Sequence, residues 1–181
     1  MNHLGTQLLE TDRLILRRVK ITDSQELMLG YINQEEFLYY ANKSKLTLAD
    51  VKMHVTKSIE EYTNKDCYSW VIVLKSNNKI VGAINLKANT YADYVEFNYA
   101  IDNRYINNGY MTEALLAVKD FCFNKLKIKR FQGGCCVENL ASKRVMEKCG
   151  MECEGILRSA IKLEDGYHDM YLFSIINEIE S

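Results

Sequence analysis

The strongest hydrophobic pattern in the chain lies between Tyr99 and Leu126, where a strand, a polar turn and an amphipathic helix follow one another. The apolar end of the strand runs into a turn whose only glycine is Gly109. After this turn, apolar residues recur three and four positions apart, which is the spacing of a helix with one buried face. The pattern therefore predicts a helix that begins near Met111. Its apolar positions are Met111, Ala114, Leu115, Val118, Phe121, Cys122 and Leu126.

Alternating and continuous apolar runs predict about seven strands in total. Turn residues separate them, among them the run Ser76-Asn77-Asn78 and the pair Asp165-Gly166. A strand on each side of the central helix implies a parallel crossover. In the strand after that helix, Gly133-Gly134 indicates a bulge or a close approach of backbone. The predicted strands cover residues 13–19, 68–74, 79–87, 94–101, 130–137, 152–162 and 167–176.

Three more helices complete the predicted set. Residues 23–41 are expected to be helical or irregular, and a second helix should start at the N-cap Thr47 and end near residues 63–64. A last helix should open after Asn139 and close at Gly150. With no internal repeat or linker, the 181 residues are expected to form one mixed α/β domain, 1–181, with its core at about 8–177.

Composition narrows the functional classes. The formal net charge is -1, with 23 basic and 24 acidic residues, so no charge excess points to direct nucleic-acid binding or to an anionic membrane. No apolar run reaches the ~20 residues of a spanning helix, and the N-terminus lacks a signal pattern, which predicts a cytoplasmic protein. The six cysteines show no Cys-x-x-Cys spacing and are expected to be mostly buried free thiols.

The turn before the central helix is a candidate anion site. The first N–H groups of a helix have no internal partner, and the helix dipole adds positive charge there, so a phosphate is favoured. Gly109 would let a ligand approach the backbone closely. An ordinary strand-to-helix connection is the alternative, because such turns also occur where nothing binds.

Two spaced motifs together resemble the GNAT superfamily of N-acetyltransferases. The first is the run Asn108-Gly109-Tyr110-Met111-Thr112-Glu113-Ala114, and the second is Asn139-x-x-Ser142-x-x-x-x-Glu147-Lys148-x-Gly150-Met151. Within that superfamily the chain is most similar to the Rim-type branch, whose members acetylate the N-termini of ribosomal proteins. The supporting motifs span 11–17, Trp70 with Gly82, 96–101, Glu154-Gly155-x-x-Arg158 and 165–171.

The resemblance implies the GNAT fold, a central twisted mixed sheet in which two parallel strands splay apart at the acetyl-CoA site. It also implies acetyl-CoA as co-substrate and no metal. The turn would hold the pyrophosphate, the strand main chain would pair with the pantetheine arm, and Asn139 and Ser142 would face the cofactor, with plain helix capping as their alternative. The implied contacts are Tyr99, Ala100, Ile101, Asn107, Asn108, Gly109, Tyr110, Met111, Thr112, Asn139 and Ser142.

Transfer to an amine requires removal of a proton, since an α-amino group titrates near ~8 and lysine near ~10.4. Glu96 is the candidate base, because it is an acid within an apolar strand and matches the acidic position of the family; a structural carboxylate is the alternative. Many members carry a tyrosine as acid where this chain has Met146. Ser142 is therefore the candidate proton donor, and bound water or an unassisted thiolate are its alternatives.

The resemblance implies direct acetyl transfer to a primary amine, either a protein N-terminus or a small molecule. The alternative is a catalytically impaired, CoA-binding or regulatory relative, because Asn107 and Met111 are larger than the usual turn residues and Met146 replaces the tyrosine. Tyrosine-rich segments such as Tyr39-Tyr40 also leave open a purely structural dimerisation domain, and with it a homodimer. The acceptor would lie between residues 23–63 and the loop before Tyr167. The aromatic side chains there, Tyr31, Phe37, Tyr39 and Tyr40, either pack in the core or line a substrate groove.

Overall fold

The computed structural model describes residues 1–31, 47–64, 66–163 and 165–178. Within these ranges the strands are β1 (Leu9–Glu10), β2 (Leu14–Arg17), β3 (Cys67–Leu74), β4 (Ile80–Asn89), β5 (Tyr94–Ile101), β6 (Arg130–Cys136), β7 (Glu152–Leu163) and β8 (Gly166–Ile176). They form one mixed sheet in the order β1-β2-β3-β4-β5-β6-β8-β7. The predicted strands are confirmed, and the two-residue β1 is an addition that the sequence pattern did not show.

The helices of the described ranges are α1 (Ser24–Tyr31), α2 (Leu48–Glu61), α3 (Tyr110–Phe121) and α4 (Leu140–Lys148). Short 3₁₀ turns occupy Ile21–Asp23 and Asn103–Tyr105, and a π-helical turn, Cys122–Leu126, continues α3. The start of α2 follows from a capping box. The Thr47 hydroxyl accepts from the Asp50 amide at 3.3 Å, and the Asp50 carboxylate accepts from the Thr47 amide at 2.8 Å.

Two hydrophobic clusters cover the two faces of the sheet. The larger one joins α3 and α4 to the sheet, and Leu115, Val118 and Met146 in it are fully buried. The smaller one joins α1 and α2 to the other face through Leu27 and Val51. Alternate residues of β2 and β3 point to opposite faces, which is the period of a strand. The helices therefore form two layers with the sheet between them.

The parallel strands β5 and β6 pair over four residues and then part. Their register runs from Tyr94 opposite Arg130 to Phe97 opposite Gly133, and beyond it the two strands no longer pair with each other. β5 continues to Ile101 with β4 as its partner, whereas β6 continues with β8. Over residues 98–101, β5 therefore does not pair with β6. This is the predicted splay between the parallel strands.

The two glycines of β6 mark a close approach and not a bulge. The register of β6 with β8 runs without a shift from Arg130 to Cys136. A Cβ on Gly133 would lie 2.5 Å from the ring of Phe97, and one on Gly134 would lie 2.7 Å from the Tyr171 carbonyl oxygen. Glycine at these positions lets β6 pack directly under Phe97 at the point where the strands part.

Some predictions are corrected or lie outside the described residues. Cys122, Cys135, Cys136 and Cys149 are buried free thiols as expected, but Cys67 is half-buried and Cys153 is exposed. Phe37, Tyr39 and Tyr40, which were candidates for the core or a substrate groove, lie outside the described residues. In the described part of the chain, no helix combines the length and the apolar character that crossing a membrane requires.

Candidate active site

The turn that precedes α3 presents a row of backbone donors. Asn107 and Gly109 both have left-handed backbone conformations, with φ of 61° and 77°. Among the described residues, the amides of 107, 108 and 109 have no hydrogen-bond partner, and the first amides of α3 lack intrahelical partners by geometry. Successive amides in such a turn form a concave site for an anion. The turn therefore has the donors that a pyrophosphate requires.

The side chains of the turn leave its open side accessible. Met111 is 3% exposed and packs in the core against the sheet, so its side chain does not crowd the turn as its size had suggested. Asn107 is exposed, and asparagine is among the side chains that adopt positive φ most readily. Asn108 donates through its Nδ2 to the carbonyl oxygen of Ile106 at 3.0 Å, which ties its side chain back onto the chain.

We expect the substitution Gly109→Ala to lower the free energy of unfolding by about 1–2 kcal/mol, because a Cβ is strained at this positive φ. Urea denaturation measures the change. Asn107→Gly is the matched control, since glycine adopts the left-handed conformation freely, and its stability should stay close to that of the wild type. An alanine at 109 with wild-type stability would contradict the assignment of this backbone.

The start of α4 lies against the part of β5 that no longer pairs with β6. The Asn139 side chain accepts from the Ser142 amide at 3.0 Å, which is an N-cap bond, so the capping role of Asn139 is confirmed. The Tyr99 hydroxyl donates to the Ser142 carbonyl oxygen at 3.2 Å and links the strand to the helix across the splay. Tyr99 and Ser142, both candidates from the sequence, are therefore neighbours. Met146 is fully buried in the core.

Glu96 lies on the opposite face of β5 from the buried Val95 and Phe97. It is exposed, and among the described residues its carboxylate makes neither a hydrogen bond nor an ion pair, although Lys87 is its neighbour across the ladder. A structural carboxylate bonded to a neighbouring strand, the alternative role, therefore has no support from the described residues. The last pair between β5 and β6 is Phe97 with Gly133, and Glu96 belongs to the pair before it. Its side chain lies on the same face of β5 as that of Asn98.

A groove of about 460 Å³ lies between α2 and the sheet, on the face away from α3. Its floor is crossed by three polar side chains, Ser69, Asn85 and Asn98, that no motif had singled out. The Ser69 hydroxyl donates to Asn85 Oδ1 at 2.6 Å, and Asn85 Nδ2 donates to Asn98 Oδ1 at 3.1 Å. The sequence signal is the polar residue that each of three adjacent strands carries at one register level. The groove ends at 98–100, beside the splay.

Two further titratable groups, Tyr62 and Cys149, are engaged or unreactive. Burial raises the pKa of Tyr62 in the groove wall, and its hydroxyl accepts from the Val19 amide at 2.7 Å and donates to the Ser69 carbonyl at 3.1 Å. Burial also raises the pKa of Cys149 to about 11, so this thiol is a poor nucleophile. Across the described ranges, no group of three histidine, cysteine or acidic side chains is arranged to hold a metal.

A splayed parallel pair, a turn of unpaired amides beside it and a groove on the far face are the parts of an acyl-transfer enzyme that takes a phosphate-bearing donor. Residues 13–152 match the model of the acetyltransferase (GNAT) domain family. This match covers most of the chain, which therefore belongs to the GNAT acetyltransferases. The chain is an N-acetyltransferase that uses acetyl-CoA, as its motifs had implied.

Relatives and solved structures agree with this assignment. The probable N-acetyltransferase YjcK of Bacillus subtilis is 27% identical over 178 residues, which is 94% of this chain and 97% of that protein. A GNAT-family acetyltransferase structure from Bacillus anthracis superposes with a TM-score of 0.83 at 26% identity, over 95% of this chain and 99% of that one. The ribosomal L7/L12 acetyltransferase RimL, solved with coenzyme A, shares the fold with a TM-score of 0.85 at 19% identity, over 96% and 100% of the two chains.

Proposed function

We propose that the enzyme transfers the acetyl group directly to a primary amine that lies in the groove beside α2. The observation that carries this proposal is that the groove ends at residues 98–100 of β5, the stretch that begins where β5 and β6 stop pairing with each other. An amine in the groove and a thioester in the splay would thus meet at the same stretch of strand. The amides of the turn before α3, which have no hydrogen-bond partner among the described residues, would hold the diphosphate of the donor.

The turn and β5 divide the binding of the donor between them. Asn107, Asn108, Gly109, Tyr110, Met111 and Thr112 would contribute main-chain donors to the diphosphate. The main chain of Tyr99, Ala100 and Ile101, on the side of β5 that faces β6, would pair with the pantetheine arm, as a strand edge does with an added strand. The amide of Ala100 or Ile101 would also polarise the thioester carbonyl. No acetyl-enzyme is required, which agrees with the burial of the Cys135 and Cys136 thiols.

Glu96 would accept the proton that the amine loses. Its carboxylate is solvated and without a partner among the described residues, so it is available to take a proton through a water molecule. Asn98 is the next residue on the same face and lies at the end of the groove. In the reaction, the amine nitrogen bonds to the acetyl carbon, the C–S bond breaks, and the proton leaves the nitrogen towards Glu96.

Ser142 would relay a proton to the departing thiolate, with its hydroxyl regaining a proton from a water molecule at the same time. Its carbonyl accepts from the Tyr99 hydroxyl, which holds the first turn of α4 against the splay. The side chain of Ser142 is half-buried, and methionine at 146 has no proton to donate. Because a thiol has a pKa of ~8.5, its thiolate is a tolerable leaving group and needs little help from a proton donor.

The acceptor class follows from the neutral floor of the groove. Because Ser69 donates to Asn85 and Asn85 to Asn98, the Asn98 Nδ2 remains as a donor at the end of the ladder. A donor of this kind suits a carbonyl next to the reacting amine, as in a peptide N-terminus. Lys57, Lys87 and Glu61 line the same groove, so the described part of its wall has no net negative charge to attract a polyamine.

The test is an assay of acetyl-CoA with a panel of amines that contains N-terminal peptides, polyamines and aminoglycosides, with the product identified by mass spectrometry. We expect peptides to be acetylated at the α-amine and polyamines to be poor substrates. Preferential acetylation of polyamines would overturn the acceptor class, and a protein that acetylates nothing in the panel would count against the transfer itself.

We expect Asn98→Ala to raise the KM for the amine roughly tenfold, while the KM for acetyl-CoA changes less than twofold. The reason is the loss of one hydrogen bond to the acceptor, which is worth about 1 kcal/mol or somewhat more. Steady-state kinetics with each substrate varied in turn separates the two constants. Asn89→Ala, at the far end of β4, is the control and should leave both constants unchanged. Equal changes in both constants for Asn98→Ala would contradict a role in acceptor binding.

A further inference from the structure

One side chain reaches the turn before α3 from the far end of the sequence. Arg13 precedes β2 and extends over residues 108–110, with its side chain half-exposed. Its Nη1 donates to the Asn108 carbonyl oxygen at 3.0 Å, and its guanidinium lies over the Tyr110 ring at 4.6 Å. Its Nη2 comes within 3.5 Å of the position that a Cβ on Gly109 would take. The guanidinium therefore touches three successive residues of the turn.

Glu113 in the first turn of α3 holds the arginine in this place. Its carboxylate accepts from Arg13 Nε at 2.6 Å, from the Arg13 amide at 3.0 Å and from the Thr11 hydroxyl at 2.5 Å. Burial acts to raise the pKa of Glu113, but these hydrogen bonds outweigh it and lower the pKa. The carboxylate is thus ionised at neutral pH, and its charge, which would repel a nearby phosphate, is compensated by the guanidinium.

The hydrogen bond to Asn108 also sets the direction of an amide. The carbonyl of Asn108 and the N–H of Gly109 belong to one planar trans peptide, so they point in opposite directions. Arg13 holds the carbonyl on its own side, which directs the Gly109 N–H to the other side. Among the described residues this N–H, like those of 107 and 108, has no hydrogen-bond partner. Glycine at 109 would otherwise permit the peptide to flip, because both signs of φ are open to it.

We propose that Arg13 is a positioning residue for the donor site: clamped by Glu113, it fixes the peptide between Asn108 and Gly109 so that the Gly109 amide faces the diphosphate of acetyl-CoA. The proposal rests on the proposed function, since it concerns the same donor site. It predicts that Arg13 contributes to the recognition of the diphosphate and not to that of the pantetheine arm or the amine.

The experiment compares a donor with a diphosphate to one without it. Binding of CoA and of pantetheine to the full-length protein is measured by calorimetry, and the KM is measured for acetyl-CoA and for acetyl-pantetheine. We expect Arg13→Gln to weaken CoA binding about tenfold, as the loss of a hydrogen bond to a charged group does, and to leave pantetheine binding and the KM of the amine within twofold. Arg13→Lys keeps the positive charge but loses the planar guanidinium with its several N–H donors, so it should recover only part of the loss.

Two further variants make the comparison specific. Arg130→Gln is the matched control, since Arg130 also makes a two-armed ion pair, with Glu154 at 2.6 Å, but lies on β6 away from the turn. It should leave both affinities unchanged. Glu113→Gln releases the clamp, and we expect it to weaken CoA binding as well. A tighter CoA complex in Glu113→Gln would show that the free charge of Arg13 matters and not its position, which overturns the proposal.

The remaining outcomes distinguish a wrong role for Arg13 from a wrong donor site. If Arg13→Gln binds CoA like the wild type, or loses CoA and pantetheine equally, the positioning role is wrong while the proposed function stands. If the wild-type protein binds neither CoA nor acetyl-CoA, the donor site itself is wrong, and the role of Arg13 is overturned with it. Urea denaturation of each variant establishes that the compared proteins are folded.

Discussion

Glu96→Gln should lower kcat roughly 100-fold at pH 7 and leave the KM for acetyl-CoA within twofold, as expected for the loss of a general base. The substitution keeps the size of the side chain and removes its ability to take a proton. Because Glu96 is exposed and has no bonded partner among the described residues, the change should cost little stability. The loss can therefore be attributed to proton transfer. Steady-state kinetics with a saturating peptide acceptor measures it.

The pH dependence gives this prediction its sharpest form. Below about pH 8 an α-amine is protonated and needs a base, whereas above that pH it is increasingly neutral before it binds. The defect of Glu96→Gln should therefore shrink as the pH is raised from 7 to 9. Glu152→Gln, the same substitution at an exposed position of β7, is the control and should follow the wild-type profile. A defect of constant size across this range would exclude Glu96 as the base.

Local signals in the sequence were sufficient for most of the fold. The start of α2 was predictable because the capping box of Thr47 and Asp50 lies within four residues. The start of α3 was predictable because Gly109 takes a positive φ at the point where the helical spacing begins. β1 was not predictable, since its two residues form a strand only through their pairing with β2. Short strands of this kind carry no periodic signal of their own.

The sequence predicted the backbone of the candidate site better than the contacts between its side chains. The turn at 107–112 follows from a local motif. Arg13 and Glu113, by contrast, are 100 residues apart and come into contact only once β2 has joined the sheet next to α3. The same applies to the ladder of Ser69, Asn85 and Asn98, which depends on the register of three strands. The size of Met111 was misleading as well, because the sequence alone did not show that its side chain turns into the core.

The N-terminal segment is joined to the sheet through one large side chain. Trp70 on β3 is completely buried, and its Nε1 donates to the carbonyl oxygen of Gln7 at 2.6 Å. Its ring stacks on Tyr68 at 6.1 Å between centroids and meets Phe121 of α3 edge-on at 5.7 Å. The indole therefore contacts the segment before β1, the sheet and the helix that carries the turn.

Trp70→Ala should lower the free energy of unfolding by about 3–5 kcal/mol, the range for removing a large aromatic side chain from a packed core. Trp70→Phe keeps most of the ring contacts and loses the N–H donor, so it should cost about 1 kcal/mol for the bond to Gln7, with a small packing term added. Urea denaturation with a linear extrapolation measures both, and an unchanged m-value would show that the same surface is exposed on unfolding.

The matched control is Tyr91→Ala, because the Tyr91 side chain is 100% exposed and its removal should change stability by less than about 0.5 kcal/mol. Both variants lose an aromatic side chain, so the difference between their free energies of unfolding reports the effect of burial. A Trp70→Ala protein within about 1 kcal/mol of the Tyr91→Ala protein would contradict the packing described for β3 and α3.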